Sequence, residues 1–274
     1  MNIDFSKTPD NESQPVEQGP TPAPASAVAT TTPSGGLVLG DKLPTFSEII
    51  LPRVNLVASV GGLKDSFIPG SFVYDQRVVL YTPAAVNAKT SKVEREGTPP
   101  VVITVLGFRP TRFVQNVKGG SRGIVCNTEA EVTAAGGTLD YREFKLKEKD
   151  GMLRFDYLAE ALLAIERPES VKDDDTVFIF EADGKKYALA LYAMKASAYT
   201  VAKRTLFPAR SIGCLRAGYP THSWNLSSVL EPTPDKSSTY WKPVLVPNSK
   251  STPAFLALAA SVLSAPTTDS PDTE

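Results

Sequence analysis

The chain has 274 residues, of which 42% are hydrophobic and 22% charged, so it has enough apolar material for one large domain or two small ones. No stretch approaches 18 consecutive apolar residues, and the N-terminus lacks the basic and apolar regions of a secretory signal. We therefore expect a cytoplasmic protein with no membrane partner. Two cysteines and one histidine, His222, leave too few ligands for the common zinc sites, so no metal or cofactor is predicted.

The net charge of −1 is unevenly distributed along the chain. Residues 1–40 and 251–274 each carry −3, which leaves +5 for the residues between them. Within these ends, residues 8–36 and 264–274 are rich in Pro, Thr and Ser and poor in bulky hydrophobic residues, so burial cannot offset the entropy lost on ordering them. We predict disordered acidic tails at 1–40 and 264–274, joined to a mildly basic body.

Strand signals dominate the first half of the body. The apolar segment around Pro52 predicts a turn of helix that leads into a strand, and the β-branched and aromatic residues of 71–83 predict further strand structure. The polar segment 87–100 is expected in an exposed loop. The longest β-rich segment, 100–117, is predicted to form two strands bent around Pro110.

The middle of the chain is more polar. Residues 127–172 are interpreted as a peripheral insertion that contains a short helix over 155–166, because good helix formers precede Pro168. Farther along, Asp183 and Gly184 stand between two apolar segments, which is the preferred chemistry of a tight β-hairpin. This hairpin is the clearest local signal in the sequence.

The last part of the chain combines helices with a closing strand. A helix is predicted over 194–207, ended by Pro208. A strand over 238–247 is followed by a short apolar helix over 251–263, with Pro253 in its first turn, where proline is tolerated.

These elements give five or six strands, mostly antiparallel, with helices between the later ones. Because βα units do not alternate regularly, a doubly wound parallel sheet is not expected. We predict a β-rich α+β fold in which residues 41–250 form a single OB-like domain, a small antiparallel barrel with inserted helices. An α+β sandwich is the alternative.

Catalytic motifs are absent from the sequence. It contains no P-loop, no HExxH, no CxxC and no G-x-G-x-x-G that opens a helix after a strand. The acidic run 173–175 is interpreted as a polar turn, because a metal site needs oxygens that converge from several positions. The protein is therefore predicted not to be an enzyme. Two alternatives stay open: an enzyme acting on nucleic acid, with carboxylates clustered by folding, and a barrel that encloses a small ligand.

Two segments, 101–126 and 185–230, contain basic residues and no acidic ones, and the second also holds six aromatic residues. Single-stranded nucleic acid requires this mixture, since cations follow the phosphates and aromatic faces accept unstacked bases. The predicted phosphate-binding residues are Arg109, Arg112, Lys118, Arg122, Lys195, Lys203 and Arg204. The predicted stacking rings are Phe108, Phe113, Tyr192, Tyr199 and Trp241.

Three segments resemble the single-stranded DNA-binding proteins of bacteriophages and bacteria: ILPRVNLV at 50–57, YALALYAMKASAYTVAKRTLFPARSIG at 187–213 and STYWKPVLVP at 238–247. In layout the resemblance covers residues 45–250. It implies an OB-type fold and sequence-independent binding of single-stranded DNA, or RNA, in phage-type DNA replication or recombination. It also implies the host cytoplasm as the location of a phage-encoded chain, and replication proteins as partners of the acidic C-terminus. This chain ends without the aromatic residue that commonly closes the acidic tip in that family.

A virion structural or assembly protein is the alternative function. β-rich domains with Pro/Thr-rich tails also suit capsid and tail parts. This alternative predicts a stable homo-oligomer with no affinity for oligonucleotides, whereas a nucleic-acid-binding protein could be either a monomer or a homo-oligomer.

Overall fold

The computed structural model describes residues 51–264, apart from 87–89, 91, 118–122, 173–175 and 234–235. These residues lie within one compact unit of the chain. The predicted N-terminal tail, the predicted C-terminal tail beyond Ser264 and the acidic run 173–175 lie outside the described residues. None of the helices in the described ranges combines the length and the apolar character needed to cross a membrane.

Strands account for most of the regular structure. The described part of the chain contains β1 (Arg53–Leu56), β2 (Phe72–Tyr74), β3 (Val78–Tyr81), β4 (Ala85–Val86), β5 (Val93–Arg95), β6 (Val101–Phe108), β7 (Arg112–Gln115), β8 (Val125–Cys126), β9 (Gly137–Thr138), β10 (Leu153–Glu166), β11 (Phe180–Ala182), β12 (Lys185–Lys195), β13 (His222–Pro232) and β14 (Thr239–Lys250). Its α-helices are α1 (Glu129–Ala134), α2 (Tyr141–Lys147), α3 (Ser197–Arg204), α4 (Leu206–Ile212) and α5 (Pro253–Leu263). Short 3₁₀ turns are formed by Gly62–Asp65, Glu148–Asp150 and Tyr219–Thr221.

Twelve of these strands form one sheet, which curls into a half-barrel. Its order is β14-β13-β6-β10-β12-β1-β2-β3, with β11 beside β12, β7 and β9 beside β10, and β8 beside β7. Neighbouring strands are antiparallel except for the pairs β1–β12 and β9–β10. The prediction of a β-rich, mostly antiparallel fold is confirmed, but the described strands are more numerous than the five or six expected.

The 14-residue strand β10 lies in the middle of the sheet, so the helix predicted over 155–166 is wrong. β10 pairs with β6 on one side and with β12 on the other, and this part of the predicted insertion 127–172 is therefore central. Its Leu, Ala and Glu residues favour a helix intrinsically. They lie in a strand because both faces of β10 are covered, and such strands have nearly continuous apolar sequences.

Turn chemistry was predicted more accurately than strand number. The hairpin at Asp183 and Gly184 is confirmed: it joins β11 to β12, and both residues have positive φ, 52° and 70°, as a type I′ turn requires. The segment 71–83 is also a hairpin, since Asp75 and Gln76 have φ of 48° and 55° between β2 and β3. The two strands predicted on either side of Pro110 are confirmed as β6 and β7.

The prediction of one helix over 194–207 is wrong at its start, because residues 194–195 end β12, and the remainder is divided between α3 and the beginning of α4. α3 ends at Arg204, and α4 includes Pro208 in its first turn. A proline ring clashes with the carbonyl four residues earlier, which is that of Arg204, yet proline is accepted in the first turn of a new helix. Pro208 therefore ends the first helix earlier than predicted and does not end the second.

The C-terminal hairpin was only half predicted. The strand predicted over 238–247 is confirmed as β14, but its partner β13 was missed, because the turn-like residues around His222 begin a strand. The apolar helix predicted over 251–263 is confirmed as α5, which begins after the N-cap Thr252, whose hydroxyl accepts a hydrogen bond from the Phe255 backbone N–H.

The sheet has a different hydrophobic cluster on each face. On the first face, Ala161 and Leu163 of β10 pack in one cluster with Val201 and Ala202 of α3. On the second face, Ala164 of β10 packs in another cluster with residues of α5. We call these the α3 face and the α5 face. Alternate residues of β10 therefore point to opposite faces, which decides where its polar side chains lie.

Candidate nucleic-acid interface

Three arginines surround one buried carboxylate, that of Glu160 on β10, which is 2% exposed. Arg112 Nη2 donates a hydrogen bond to Glu160 Oε2. Arg109 Nη1 lies 3.5 Å from the same oxygen, and Arg53 Nη2 lies 3.6 Å from Oε1. We call this group, Arg53, Arg109, Arg112 and Glu160, the arginine cluster.

Strand register brings these residues together from distant parts of the chain. Glu160 is even-numbered, like Ala164, and so points to the α5 face. Arg112 and Lys195 both lie opposite Leu158, on either side of β10, and therefore share that face with Glu160. Of the seven predicted phosphate-binding residues, Arg109, Arg112 and Lys195 lie on the same part of the sheet.

The charge of the arginine cluster is not balanced. A buried carboxylate needs cationic or hydrogen-bonding partners to offset the loss of hydration, and one arginine would balance its charge. Three arginines around one glutamate give a net charge of +2. The side chains of Arg53 and Arg109 are 59% and 46% exposed, so the excess charge faces solvent.

Lys203 and Arg204 lie elsewhere, so the single basic face that the sequence predicted is wrong. Both are exposed residues of α3, which packs on the opposite side of the sheet from Glu160. The prediction failed because a run of cations in the sequence does not fix the face on which a helix or strand presents them. Lys118 and Arg122 lie outside the described residues.

Two of the predicted stacking rings are buried, so these two predictions are wrong. Tyr192 belongs to the α3-face core and contacts Phe72, with ring centroids 6.0 Å apart. Phe113 is buried against Phe155 and Cys126. Neither ring can offer a face to a base. Burial raises the pKa of Tyr192 far above its usual value, which agrees with a phenol held out of water.

Trp241 is half-buried and packs close to the backbone of Gly70, in the connection between β1 and β2. A Cβ atom on Gly70 would lie 2.6 Å from the indole ring, so only glycine fits beneath it. This close approach explains Gly70 and its positive φ of 88°. Trp241 therefore serves packing between β14 and the β1–β2 connection.

The other two predicted rings, Phe108 and Tyr199, belong to a continuous series of aromatic contacts. The contacts run from Tyr219 to Phe108 (4.8 Å between ring centroids), to Phe207 (5.4 Å), to Tyr199 (5.9 Å) and to Tyr157 (5.1 Å). Tyr199 and Tyr157 are stacked at an interplanar angle of 12°, and the other contacts are edge-to-face. We call these five rings the aromatic array.

An open cleft lies at one end of the aromatic array. β13 pairs with β6 only from Val101 to Thr104. The remaining residues of β6 have no β13 residue beside them, and the cleft lies there. Its volume is about 410 Å³, and its lining combines the end of β6 and the residues after it with α4 and the 3₁₀ turn Tyr219–Thr221. We call it the edge cleft.

The edge cleft combines aromatic rings with unbalanced positive charge. Phe108, Phe207 and Tyr219 line it together with Arg109 and Arg210, and no acidic residue is among its lining residues. The Arg210 guanidinium lies 5.1 Å from the centre of the Tyr219 ring, a cation–π contact. Arg109 belongs both to the edge cleft and to the arginine cluster.

A second open cleft, which we call the helix cleft, lies at the other end of the aromatic array beside the start of α3. It has a volume of about 660 Å³ and is lined by Tyr157, Tyr199 and Tyr240. Arg154 also lines the helix cleft, and its Nη2 atom lies 3.0 Å from Asp156 Oδ1. The helix cleft is larger than the edge cleft, but the ion pair of Arg154 with Asp156 has no net charge.

Several residues of these sites were missed in the sequence. Phe207, Arg210 and Tyr219 lie within the acid-free segment 185–230, and that signal could have found them. Tyr157 and Glu160 were missed because the segment was predicted to be a helix. The described residues contain no group of three or more His, Cys, Asp or Glu side chains that could hold a metal ion.

A scan against protein-family models found no match, and searches of curated proteins and of solved structures found none either. The functional assignment therefore depends on the chemistry of the arginine cluster and the two clefts.

Proposed function

We propose that this protein binds single-stranded DNA at the edge cleft, without sequence preference. The observation that carries this proposal is that three aromatic rings and two arginines line one open cleft with no acidic residue among them. Every base has a π-face, so rings provide sequence-tolerant contacts, and arginines neutralise phosphates. An OB-type barrel and a role in DNA replication or recombination are further parts of the same proposal.

The dimensions of the edge cleft favour a small number of bases. A cleft of about 410 Å³ lies within the range of small-ligand sites, roughly 300–1,000 Å³. Each stacked base contributes about 1–3 kcal/mol. Binding of one or two bases, with neighbouring phosphates on Arg109 and Arg210, is therefore enough for measurable affinity and requires no catalytic group.

The test is the affinity of the full chain for fluorescent oligo(dT) and oligo(dA), measured by anisotropy at low salt. We expect binding of both, and at least a tenfold weaker affinity in the double variant Arg109→Ala/Arg210→Ala, because a charge-assisted hydrogen bond contributes about 1.5–3 kcal/mol. The control is Arg142→Ala/Lys149→Ala, which removes two cations that line neither cleft.

The outcome that overturns the proposal is equally clear. If neither oligonucleotide binds, and the chain elutes as a stable oligomer in size-exclusion chromatography, the virion assembly function replaces nucleic-acid binding. If the two double variants lose affinity equally, binding is a general effect of charge and the edge cleft is not its site.

A further inference from the structure

We propose that the arginine cluster binds the dianionic phosphate at the end of a nucleic-acid strand, while the terminal base occupies the edge cleft. This inference rests on the proposed function and adds to it a preference for strand ends that carry a phosphate. The ligand class is a phosphomonoester, as distinct from the phosphodiesters within the strand.

The charge of the cluster favours a dianion. Three guanidinium groups and one carboxylate give +2, whereas an internal phosphodiester carries −1. A phosphomonoester carries about −1.5 to −2 at neutral pH, because its second pKa is about 6. A terminal phosphate is therefore the nucleic-acid group that balances this cluster.

The hydrogen-bonding capacity of the cluster also exceeds what Glu160 uses. Only Arg112 makes a hydrogen bond to the carboxylate, while Arg53 and Arg109 approach it at 3.6 and 3.5 Å. Each guanidinium has five N–H donors in a planar arrangement that matches the oxygens of a phosphate. Arg53 and Arg109 are about half exposed, so donors remain accessible from solvent.

Glu160 acts as a positioning residue. Three like charges repel one another, and a buried carboxylate between them offsets that repulsion and holds the guanidinium groups on one side of the sheet. The backbone also fixes this geometry, since the Arg109 N–H donates a 2.9 Å hydrogen bond to the Glu160 carbonyl oxygen. The cations are thus placed before any ligand arrives, which lowers the entropic cost of binding.

Arg109 connects the two binding regions. Its guanidinium lies 3.5 Å from Glu160 Oε2, and the same residue lines the edge cleft beside Phe108. The rings of the edge cleft belong to the α3 face and the cluster to the α5 face, and Arg109 lies between them at the end of β6, beyond the residues that pair with β13. A nucleotide whose phosphate contacts Arg109 from the cluster would therefore pass around this open edge to place its base against the rings. An internal nucleotide is joined to the nucleic-acid strand on both sides, whereas a terminal nucleotide is joined on one side only. A terminal nucleotide can therefore occupy this position with less of the strand to accommodate.

The experiment compares three oligonucleotides of one sequence, with a 5′-phosphate, with a 3′-phosphate and with hydroxyl groups at both ends. We expect one of the phosphorylated strands to bind at least tenfold more tightly than the hydroxyl strand at pH 7.5. At pH 5 this ratio should fall, because the phosphate loses half of its charge by protonation. The polarity of the preferred end follows from which strand binds better.

A variant and a competition distinguish the source of the phosphate. Arg53→Gln changes a side chain that lines neither cleft, and we expect it to reduce the ratio of affinities to about one, while Lys64→Gln keeps the wild-type ratio. A deoxynucleoside monophosphate should compete for the site more strongly than inorganic phosphate. Equal competition by inorganic phosphate would show a simple anion site and overturn the inference.

The outcomes separate this inference from the proposed function. Equal affinity for all three strands overturns the preference for terminal phosphate and leaves binding at the edge cleft intact. Loss of binding for every strand removes both.

Discussion

The edge cleft and the helix cleft lie at opposite ends of one aromatic array, yet they differ in charge. The helix cleft is larger, about 660 Å³ against about 410 Å³. Its Arg154 forms an ion pair with Asp156, which also accepts a 2.7 Å hydrogen bond from Asn116 Nδ2. In the edge cleft, Arg210 contacts only an aromatic ring among the partners described for it, and no acidic residue lines the cleft.

Because of this difference, we expect charge, and not the size of a cleft or its number of rings, to decide which cleft binds a polyanion. An arginine paired with a neighbouring carboxylate contributes little to the potential felt by a phosphate, because the two charges cancel at the distance of the ligand. Both clefts offer tyrosine faces. In the edge cleft, however, Arg109 shares the one carboxylate of Glu160 with two other arginines, and the contact described for Arg210 is with an aromatic ring. We therefore expect the two clefts to respond differently to matched substitutions.

The largest difference is expected from the aromatic rings. Tyr219→Leu in the edge cleft removes a π-face and should weaken oligonucleotide binding by about 5- to 150-fold, since one stacked base contributes about 1–3 kcal/mol. Tyr240→Leu removes the corresponding ring from the helix cleft and should change affinity by less than about twofold. Fluorescence anisotropy with labelled oligo(dA) measures both.

Thermal denaturation of both tyrosine variants provides the control for folding. Tyr219 packs against Phe108, and the Tyr240 hydroxyl donates a 3.3 Å hydrogen bond to Glu231, so each substitution has a structural cost of its own. A greater loss of affinity in Tyr240→Leu than in Tyr219→Leu, with both proteins folded, would assign base stacking to the helix cleft.

A smaller difference is expected in the salt dependence. For single strands, log K falls with log salt by about 0.7 for each neutralised phosphate. Arg210→Gln should therefore reduce this slope by about 0.7, whereas Arg154→Gln should leave it unchanged, because Asp156 already neutralises Arg154. Titrations between 50 and 300 mM salt measure the two slopes, and equal slopes in both variants would contradict the difference between the clefts.

Local rules predicted the parts of the fold that depend on a few adjacent residues. Asp183 and Gly184 gave the correct hairpin because two consecutive positive φ values have strong residue preferences. The bend at Pro110 was predicted because proline cannot donate to a strand ladder. α5 was predicted because Thr252 and Pro253 form a recognisable N-terminus before an apolar run.

The central strand β10 could not be predicted by these rules. Its residues have helical propensity, and only pairing with β6 and β12, which come from distant parts of the chain, makes it a strand. This error also hid Tyr157 and Glu160. The arginines around Glu160 come from two other parts of the chain, Arg53 from one and Arg109 and Arg112 from the other, so no pattern within its own segment could indicate these contacts.

The candidate site was predicted in part for a similar reason. Acid-free segments indicated Phe108, Arg109 and Tyr199, and the structure places these residues at the lining of the two clefts. They did not indicate Arg53, which lies outside both segments and reaches Glu160 through the pairing of β1 with β12. The face of the sheet on which each residue lies depends on strand register, which sequence composition does not contain.

The smallest effect is expected from the tyrosine hydroxyl groups. Burial raises the pKa of Tyr219, although the Arg210 guanidinium opposes this, and burial and then Tyr157 raise the pKa of Tyr199. Because the folded pKa values exceed the ordinary value of about 10, both phenols are predominantly protonated below that pH. Phosphates therefore meet largely neutral phenols between pH 7 and 9.5.

We therefore expect Tyr219→Phe to bind oligo(dA) within about twofold of wild type and the affinity of both proteins to be constant from pH 7 to 9.5, since stacking uses the ring and not the hydroxyl. Comparison of Tyr219→Phe with Tyr219→Leu separates the contribution of the aromatic ring to affinity from that of the hydroxyl group. A fall in wild-type affinity between pH 8 and 9.5 that is absent in Tyr219→Phe would mean that the phenol ionises in this range. The ring would then be more hydrated than its half-buried position beside Phe108 indicates, and the edge cleft would have to be wider in solution than in this fold.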